Sequence, residues 1–245
     1  MIPYYQDPAV TIYCGDCREI LPSLAGEFVT ITDPPYGETS LEWDRWVNGW
    51  PLLVAERSRS MWCFGSFRMF VDRWRDFDGW RASQDIVWEK HNGSSARKDR
   101  FRRVHELAVH FYRGEWEAVY HQVPTTPEAK RRKIKRQGQP VHWNGIGTGT
   151  FTVEEGGPLL ARSVLQVRSC HGHAVNETQK PEGIVRPLME YAAGPGAVIL
   201  DPFGGSGTVA VVAKSMGLRA VMIERRESQC EEAVARLAQQ LLSLA

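Results

Sequence analysis

The stretch that most constrains the fold is Ala197-Val-Ile-Leu-Asp-Pro-Phe-Gly-Gly-Ser-Gly-Thr208. Within it a short apolar run, a turn rich in glycine and the start of a helix-compatible run follow one another. Glycine lets the backbone approach a ligand closely, and a helix start offers N–H groups that have no partner inside the helix. A second strand, Ala220–Ile223, and a helix, Glu227–Leu242, complete a βαβα unit. Gly205-Ser-Gly207-Thr-Val-Ala210 fits the dinucleotide pattern G-x-G-x-x-A. Glu224 stands at the end of the second strand, nineteen residues beyond Gly205, where a carboxylate accepts hydrogen bonds from ribose hydroxyls. No Gly-Lys-Ser/Thr follows, so a phosphate-binding P-loop is excluded. Taken alone, the turn suits a nicotinamide cofactor and a nucleoside-bearing methyl donor equally well.

The rest of the chain extends this α/β rhythm. Val10–Tyr13, Phe28–Thr32, Ser60–Phe64, Asp85–Trp88 and Leu107–Tyr112 read as strands. Arg18–Leu24, Pro51–Arg57 and Phe67–Arg75 read as helical, as does the amphipathic run Glu182–Ala193, closed by Gly194-Pro-Gly196. Ala197–Leu200 is the strand before the glycine turn and Ser206–Met216 the helix after it. The alternation predicts a mostly parallel, twisted sheet with helices on both faces. Residues 113–165 break the rhythm and read as a loop-rich insertion, leaving 1–112 and 166–245 as two halves of one domain. Trp62 and Trp74 are expected in the core, Trp43 and Trp46 at a pocket or its edge, and Ala233, Leu237 and Leu241 on one packed stripe.

Charge is distributed unevenly. The 245 residues carry 30 Lys+Arg and 29 Asp+Glu, a net of +1 that argues against a polyanionic partner only until it is divided. Residues 1–88 hold 8 basic and 13 acidic side chains (net −5), 89–137 hold 13 and 6 (net +7), and 138–245 hold 9 and 10 (net −1). The basic segment contains Arg97, Lys98, Arg100, Arg102 and Arg103, then Lys130, Arg131, Arg132, Lys133, Lys135 and Arg136. An isolated run of this kind is usually a solvated surface. No apolar run approaches the ~20 residues of a membrane span, and the first residues lack the pattern of a signal peptide. Five cysteines fit a reduced, cytoplasmic compartment better than a disulfide scaffold. Cys14-x-x-Cys17 with Cys170-x-x-His173 has the residue types of a zinc site, but the pairs lie far apart in sequence; inert thiols, with no metal, are expected.

Phe28-Val-Thr-Ile-Thr-Asp33-Pro34-Pro35-Tyr36 places a carboxylate where a buried strand ends, and two prolines stiffen the turn that holds Asp33 and Tyr36. Together with Asp201-Pro-Phe-Gly-Gly-Ser-Gly-Thr208, this segment resembles the S-adenosylmethionine-dependent DNA amino-methyltransferases, which modify adenine N6 or cytosine N4. Gly15-Asp16-Cys-Arg-Glu-Ile-Leu21, Thr178-Gln-Lys-Pro-Glu182 and the pair Trp88-Glu-Lys90 and His105-Glu106 resemble further family segments, and the motif order is that of the permuted β class. The resemblance spans most of the chain outside roughly 113–165.

The resemblance implies a Rossmann-like methyltransferase fold with a target-recognition insertion. It assigns catalysis to Asp33, Pro34, Pro35 and Tyr36. It assigns S-adenosylmethionine binding to Asp16, Cys17, Lys180, Asp201, Phe203, Gly205, Ser206, Gly207, Thr208 and Glu224. The basic clusters fall where the family meets double-stranded DNA, so phosphate contact becomes their expected role. Asp at the first motif position points to N6-adenine, with N4-cytosine the alternative within the family. No Pro-Cys dipeptide of the C5-cytosine enzymes occurs. A nicotinamide oxidoreductase would leave Asp33-Pro-Pro-Tyr36 without a task. A homodimer and a separate restriction endonuclease are compatible partners; a membrane is not.

Overall fold

The computed structural model describes residues 2–94, 98–126, 132–136, 149–170 and 179–243. Two compact units are present, one built from residues up to Gln122 and from Ser163 onward, the other from Val123–Arg162. The elements of the larger unit run β1 (Tyr5–Gln6), β2 (Val10–Cys14), α1 (Cys17–Ile20), β3 (Phe28–Thr32), α2 (Trp50–Ala55), β4 (Ser58–Gly65), α3 (Phe67–Arg73), β5 (Arg81–Ser94) and β6 (Arg103–Tyr112). The smaller unit holds β7 (Thr125–Thr126), β8 (Arg132–Arg136), β9 (Gly149–Val153) and β10 (Leu159–Leu160). The chain then returns as β11 (Val164–Gln166), α4 (Glu182–Ala192), β12 (Val198–Asp201), α5 (Thr208–Ser215), β13 (Arg219–Glu224) and α6 (Glu227–Ser243).

Nine strands form one sheet in the order β1-β2-β13-β12-β3-β4-β6-β5-β11. Its centre is parallel: β2, β13, β12, β3 and β4 pair in one direction. Period-two alternation along these strands feeds two cores. Trp62 and Phe64 face the core shared with α4, α5 and α6, whereas Met61 and Cys63 face the one shared with α1, α2 and α3. Both faces are thereby covered, as the apolar strand runs require. The result is the Rossmann-like α/β architecture.

The order also fixes where a ligand can bind. From β3 the chain crosses by α2 to β4 on one side, and from β12 by α5 to β13 on the other. β3 and β12 are neighbours, so the connections diverge at their carboxyl ends and leave a crevice there.

Several local expectations are corrected. The run Arg18–Leu24 divides into a short α1 and a 3-10 turn at Leu21–Ser23, where Pro22 removes a backbone donor. Likewise α3 stops at Arg73, and Trp74–Phe77 is 3-10. Trp74 is not core: it is 53% exposed, with one edge near the Phe111 ring. The strands around Asp85–Trp88 and Leu107–Tyr112 are longer, because β5 and β6 pair antiparallel as an extended hairpin. Among the described residues of 113–165, β7 pairs with β10, and β8 with β9 in a register that sets Ile134 opposite Phe151. Residues 113–122 belong with the large unit, where the Gln122 N–H donates to the Tyr191 carbonyl. The side chain of Leu241 lies outside the described residues.

Candidate active site

A cavity of about 1590 Å³ opens at the crevice and is lined from the ends of β2, β3, β12 and β13. At one side lies the glycine turn. Gly204 donates to the Ile223 carbonyl (2.9 Å), and Gly207 donates back to Gly204 (2.8 Å), which closes the turn beneath α5. A β-carbon on Gly204 would stand 2.2 Å from Met222 Cγ, and one on Gly207 2.8 Å from Ala233 Cβ. Gly207 also has φ +80°, which L side chains avoid. Gly205 differs: nothing lies within 4 Å of its missing β-carbon. The first two glycines pack the turn against β13 and α6; the third leaves room in the cavity.

Glu224 braces this turn directly. Its Oε2 accepts the Gly205 N–H (2.9 Å) and its Oε1 the Arg226 N–H (2.8 Å), while its own N-terminal neighbour Ile223 anchors Gly204. Asp16 caps α1 and forms a two-pronged pair with Arg18, at 3.0 and 2.7 Å. That pair holds the Asp16 carboxyl below its usual range. Cys17 is buried and its thiol is pushed up to about 12 by burial, so it packs rather than reacts. Asp201, at the end of β12, accepts from Thr32 Oγ1 (2.9 Å) and the Phe203 N–H (3.1 Å). Burial pushes its carboxyl up to about 7, with the nearby negative charges of Asp33 and Glu224 adding to the effect. Ser206 and Thr208 line the same cavity. Both are held by Arg236 of α6, whose Nη1 donates to the Ser206 carbonyl (2.8 Å) and to Thr208 Oγ1 (3.0 Å).

Across the cavity stands Asp33-Pro34-Pro35-Tyr36, fixed at the end of β3. Tyr36 donates its hydroxyl to Asp33 Oδ1 (2.7 Å). Lys180, just ahead of α4, pairs with Asp33 Oδ2 and lies 3.3 Å from Glu106 Oε2. Glu106 in turn pairs with Lys90 of β5. Burial raises the Asp33 carboxyl, and the Lys180 charge opposes that rise. Lys180 and Lys90 hold Glu106 down to about 2 despite its burial, and the two carboxylates raise Lys180 to about 12. Lys180 lines the cavity as expected of a cofactor residue, yet its ammonium is spent on the Asp33 and Glu106 carboxylates.

Sequence reasoning missed three residues of this site: Glu106 as a partner in the charge cluster, Arg236, and Asp44. Asp44 is buried and accepts three backbone N–H bonds, from Gly37 (2.8 Å), Glu38 (3.0 Å) and Thr39 (2.7 Å). These bonds hold its carboxyl below the usual range and wrap the loop after Tyr36 around one anion. The loop is tied to β6 as well, since Glu38 Oε2 meets Arg103 Nη1 at 3.2 Å. Trp43 and Trp46 both line the cavity, and the Arg226 guanidinium sits 5.1 Å from the Trp43 ring centre.

Of the basic residues, Lys98, Arg100, Arg102 and Arg103 are exposed around the β5–β6 turn, with Arg100 paired to Asp99. Arg132, Lys133, Lys135 and Arg136 form most of β8. Arg97, Lys130 and Arg131 lie outside the described residues, as does His173 of the zinc pattern.

This geometry joins a glycine cradle with acidic residues at two strand ends to a second, carboxylate-bearing turn in one cavity. A DNA methylase family model matches residues 29–235. The chain belongs to the S-adenosylmethionine-dependent DNA amino-methyltransferases. It is 26% identical over 267 residues to the type II methyltransferase M.ScaI of Streptomyces caespitosus, covering 99% of this chain and 86% of that one. With the type II methyltransferase M.HinfI of Haemophilus influenzae it shares 24% over 262 residues, covering 93% and 68%. The crystal structure of an M1.HpyAVI–SAM complex has the same fold: TM-score 0.63, 21% identity, 93% of this chain and 99% of that one. So has the PvuII DNA methyltransferase, described as cytosine-N4-specific, with TM-score 0.64, 17% identity, 96% and 88%. The residues of this DNA methyltransferase fit the family's cofactor. Gly205 leaves open space where any side chain would intrude, and the carboxylates of Glu224 and Asp16 line the cavity on the side of β2 and β13.

Proposed function

We propose that this enzyme methylates the N6 amine of adenine in double-stranded DNA, using S-adenosylmethionine. The observation that carries the reading is the single cavity shared by the glycine turn and Asp33-Pro-Pro-Tyr36. Gly205, Phe203, Ser206, Thr208, Asp201, Glu224, Asp16 and Cys17 would hold the cofactor, with Glu224 offering remaining lone pairs to ribose hydroxyls. When bound, S-adenosylmethionine supplies an electrophilic methyl group.

The protein's task is to prepare the amine. An exocyclic amine is a poor nucleophile because its lone pair is delocalised into the ring. Asp33 and the Pro34 carbonyl accept its two N–H bonds, localise the lone pair and stabilise the positive charge that develops on nitrogen. The base must leave the helix stack to reach the cavity, and Tyr36 offers a ring on which it can rest. Holding both reactants in one cavity supplies much of the rate, and no covalent nucleophile is required. The exposed arginines of the β5–β6 turn and the basic strand β8 contact phosphates. Asp33 as the first residue of its motif is what favours adenine over cytosine.

Sequencing with modified-base detection, on DNA from cells expressing the protein, tests this reading. N6-methyladenine at one fixed sequence is expected. N4-methylcytosine at a fixed sequence would replace adenine by cytosine, and unmodified DNA would overturn the proposal.

A further inference from the structure

The cluster around Asp33 contains more charge than amine binding requires. Lys180 has only 10% of its side chain exposed and Glu106 only 12%, while Lys90 keeps 24%. Burying charges is costly unless they are paired, and here two cations and two anions alternate: Lys90, Glu106, Lys180, Asp33. The Lys180 ammonium also lies 5.4 Å from the Phe64 ring centre and 5.8 Å from that of Tyr36.

We propose that Lys180, braced by Glu106 and Lys90, is a positioning residue that keeps Asp33 ionised as the acceptor for the target amine. This inference rests on the reading of Asp33 given above and adds how the acceptor is maintained. A protonated Asp33 would present an O–H to the amine and lose its power to draw out the nitrogen lone pair.

Every element packed around Asp33 bears on that ionisation. From its own turn, Tyr36 donates a hydrogen bond that favours the charged form. Glu106 of β6 opposes it by like charge, whereas the Asp201 carboxyl of β12 and the buried Cys63 thiol of β4 are themselves held back from ionising by the Asp33 charge. Lys90 of β5 offsets Glu106. Lys180 alone among these groups sets a positive charge against Asp33 itself. Glu106, bound by both lysines, keeps the Lys180 ammonium charged and aimed across the cavity floor.

The test compares Lys180→Met, Lys180→Gln and Lys180→Arg with the parent protein. In a carbon-13 titration of the aspartate carboxyls, loss of the ammonium is expected to raise the Asp33 midpoint by about one to three pH units. Arg, which keeps the charge, restores it. On a duplex carrying the mapped target, kcat of both neutral variants falls as pH drops below the raised Asp33 midpoint and recovers as pH rises, since the ionised acceptor is the active form. The parent and Lys180→Arg profiles fall only at lower pH, and cofactor affinity measured by calorimetry changes less than about threefold. An Asp33 midpoint unmoved in both neutral variants overturns the inference. So does a pH profile parallel to the parent with cofactor affinity lost, which would make Lys180 a cofactor ligand. The titration requires no DNA, so a parent protein that methylates no DNA would fail the functional reading without deciding the ionisation.

Discussion

Gly205 and Gly207 lie two residues apart, yet alanine at each should fail differently. At Gly207 a methyl group adopts φ +80° and stands 2.8 Å from Ala233 Cβ and 3.3 Å from Ala233 Cα. The second neighbour is backbone of α6 and cannot swing aside. Left-handed strain of about 1–2 kcal/mol and overpacking of about 1–3 kcal/mol act together, lowering stability by about 2–5 kcal/mol. For a protein of this size the melting temperature should fall by about 5–15 °C. At Gly205 the φ is +51° and no atom lies within 4 Å, so only strain of about 1–2 kcal/mol applies and melting falls by about 2–6 °C. The methyl group would instead occupy the cavity beside Phe203 and Ser206. Gly205→Ala is therefore expected to remain folded and to bind S-adenosylmethionine at least tenfold more weakly, read by circular dichroism melts and titration calorimetry. Equal melting losses for the two variants would refute the packing argument. Parent-like cofactor affinity in Gly205→Ala would refute the assignment of the open space to the cofactor.

Further expectations concern individual side chains. The folded Asp201 carboxyl, at about 7, lies above its unfolded value of 3.8, so its contribution to stability is present at low pH and is lost as pH rises to about 7. Asp201→Asn should thus stabilise the ligand-free protein more at pH 8 than at pH 5, by about 2–3 kcal/mol in urea titrations; an equal effect at both values would contradict the buried-acid account. Asp44→Ala leaves the Gly37, Glu38 and Thr39 amides without their shared acceptor, at a local cost of about 2–4 kcal/mol. Hydrogen exchange at these amides should accelerate at least tenfold and melting fall by about 5–12 °C, and unchanged exchange would count against the loop's dependence on Asp44. Exchanging Arg132, Lys133, Lys135 and Arg136 for Gln should make DNA affinity less salt-dependent, flattening the log–log slope by about 3–4. A slope identical to the parent's would remove β8 from the DNA contact.

The sequence pattern carried the fold where local and tertiary preferences agree. The run Ala197–Thr208 needed only its own residues to announce strand, turn and helix, and Glu224 fell in place because the spacing of a βαβ unit is nearly fixed. The limits of α1 and α3 were less legible, since 3-10 turns at Leu21–Ser23 and Trp74–Phe77 end them and respond to packing. Trp74 shows the same limit: helical spacing gave it an inward face, but the helix stops one residue earlier. In the site, Asp33 and the glycines were visible as motifs. Asp44, Arg236 and the link from Lys90 through Glu106 to Lys180 were not. Arg236 and the lysine–glutamate link act across contacts that join distant segments, such as Arg236 reaching Ser206 or Lys180 reaching Asp33, whereas Asp44 acts within its own loop through a fold that its neighbours in sequence do not specify.

The central claim is that Asp33 serves as the acceptor for a DNA amine in the cavity that also holds the cofactor. Its most direct test is methyl transfer from labelled S-adenosylmethionine to DNA by the parent and Asp33→Ala proteins, with cofactor binding followed in parallel. The expected result is label on adenine N6 with the parent, none above background with Asp33→Ala, and cofactor affinities within a few-fold of one another. Transfer by Asp33→Ala at the parent's rate would contradict it.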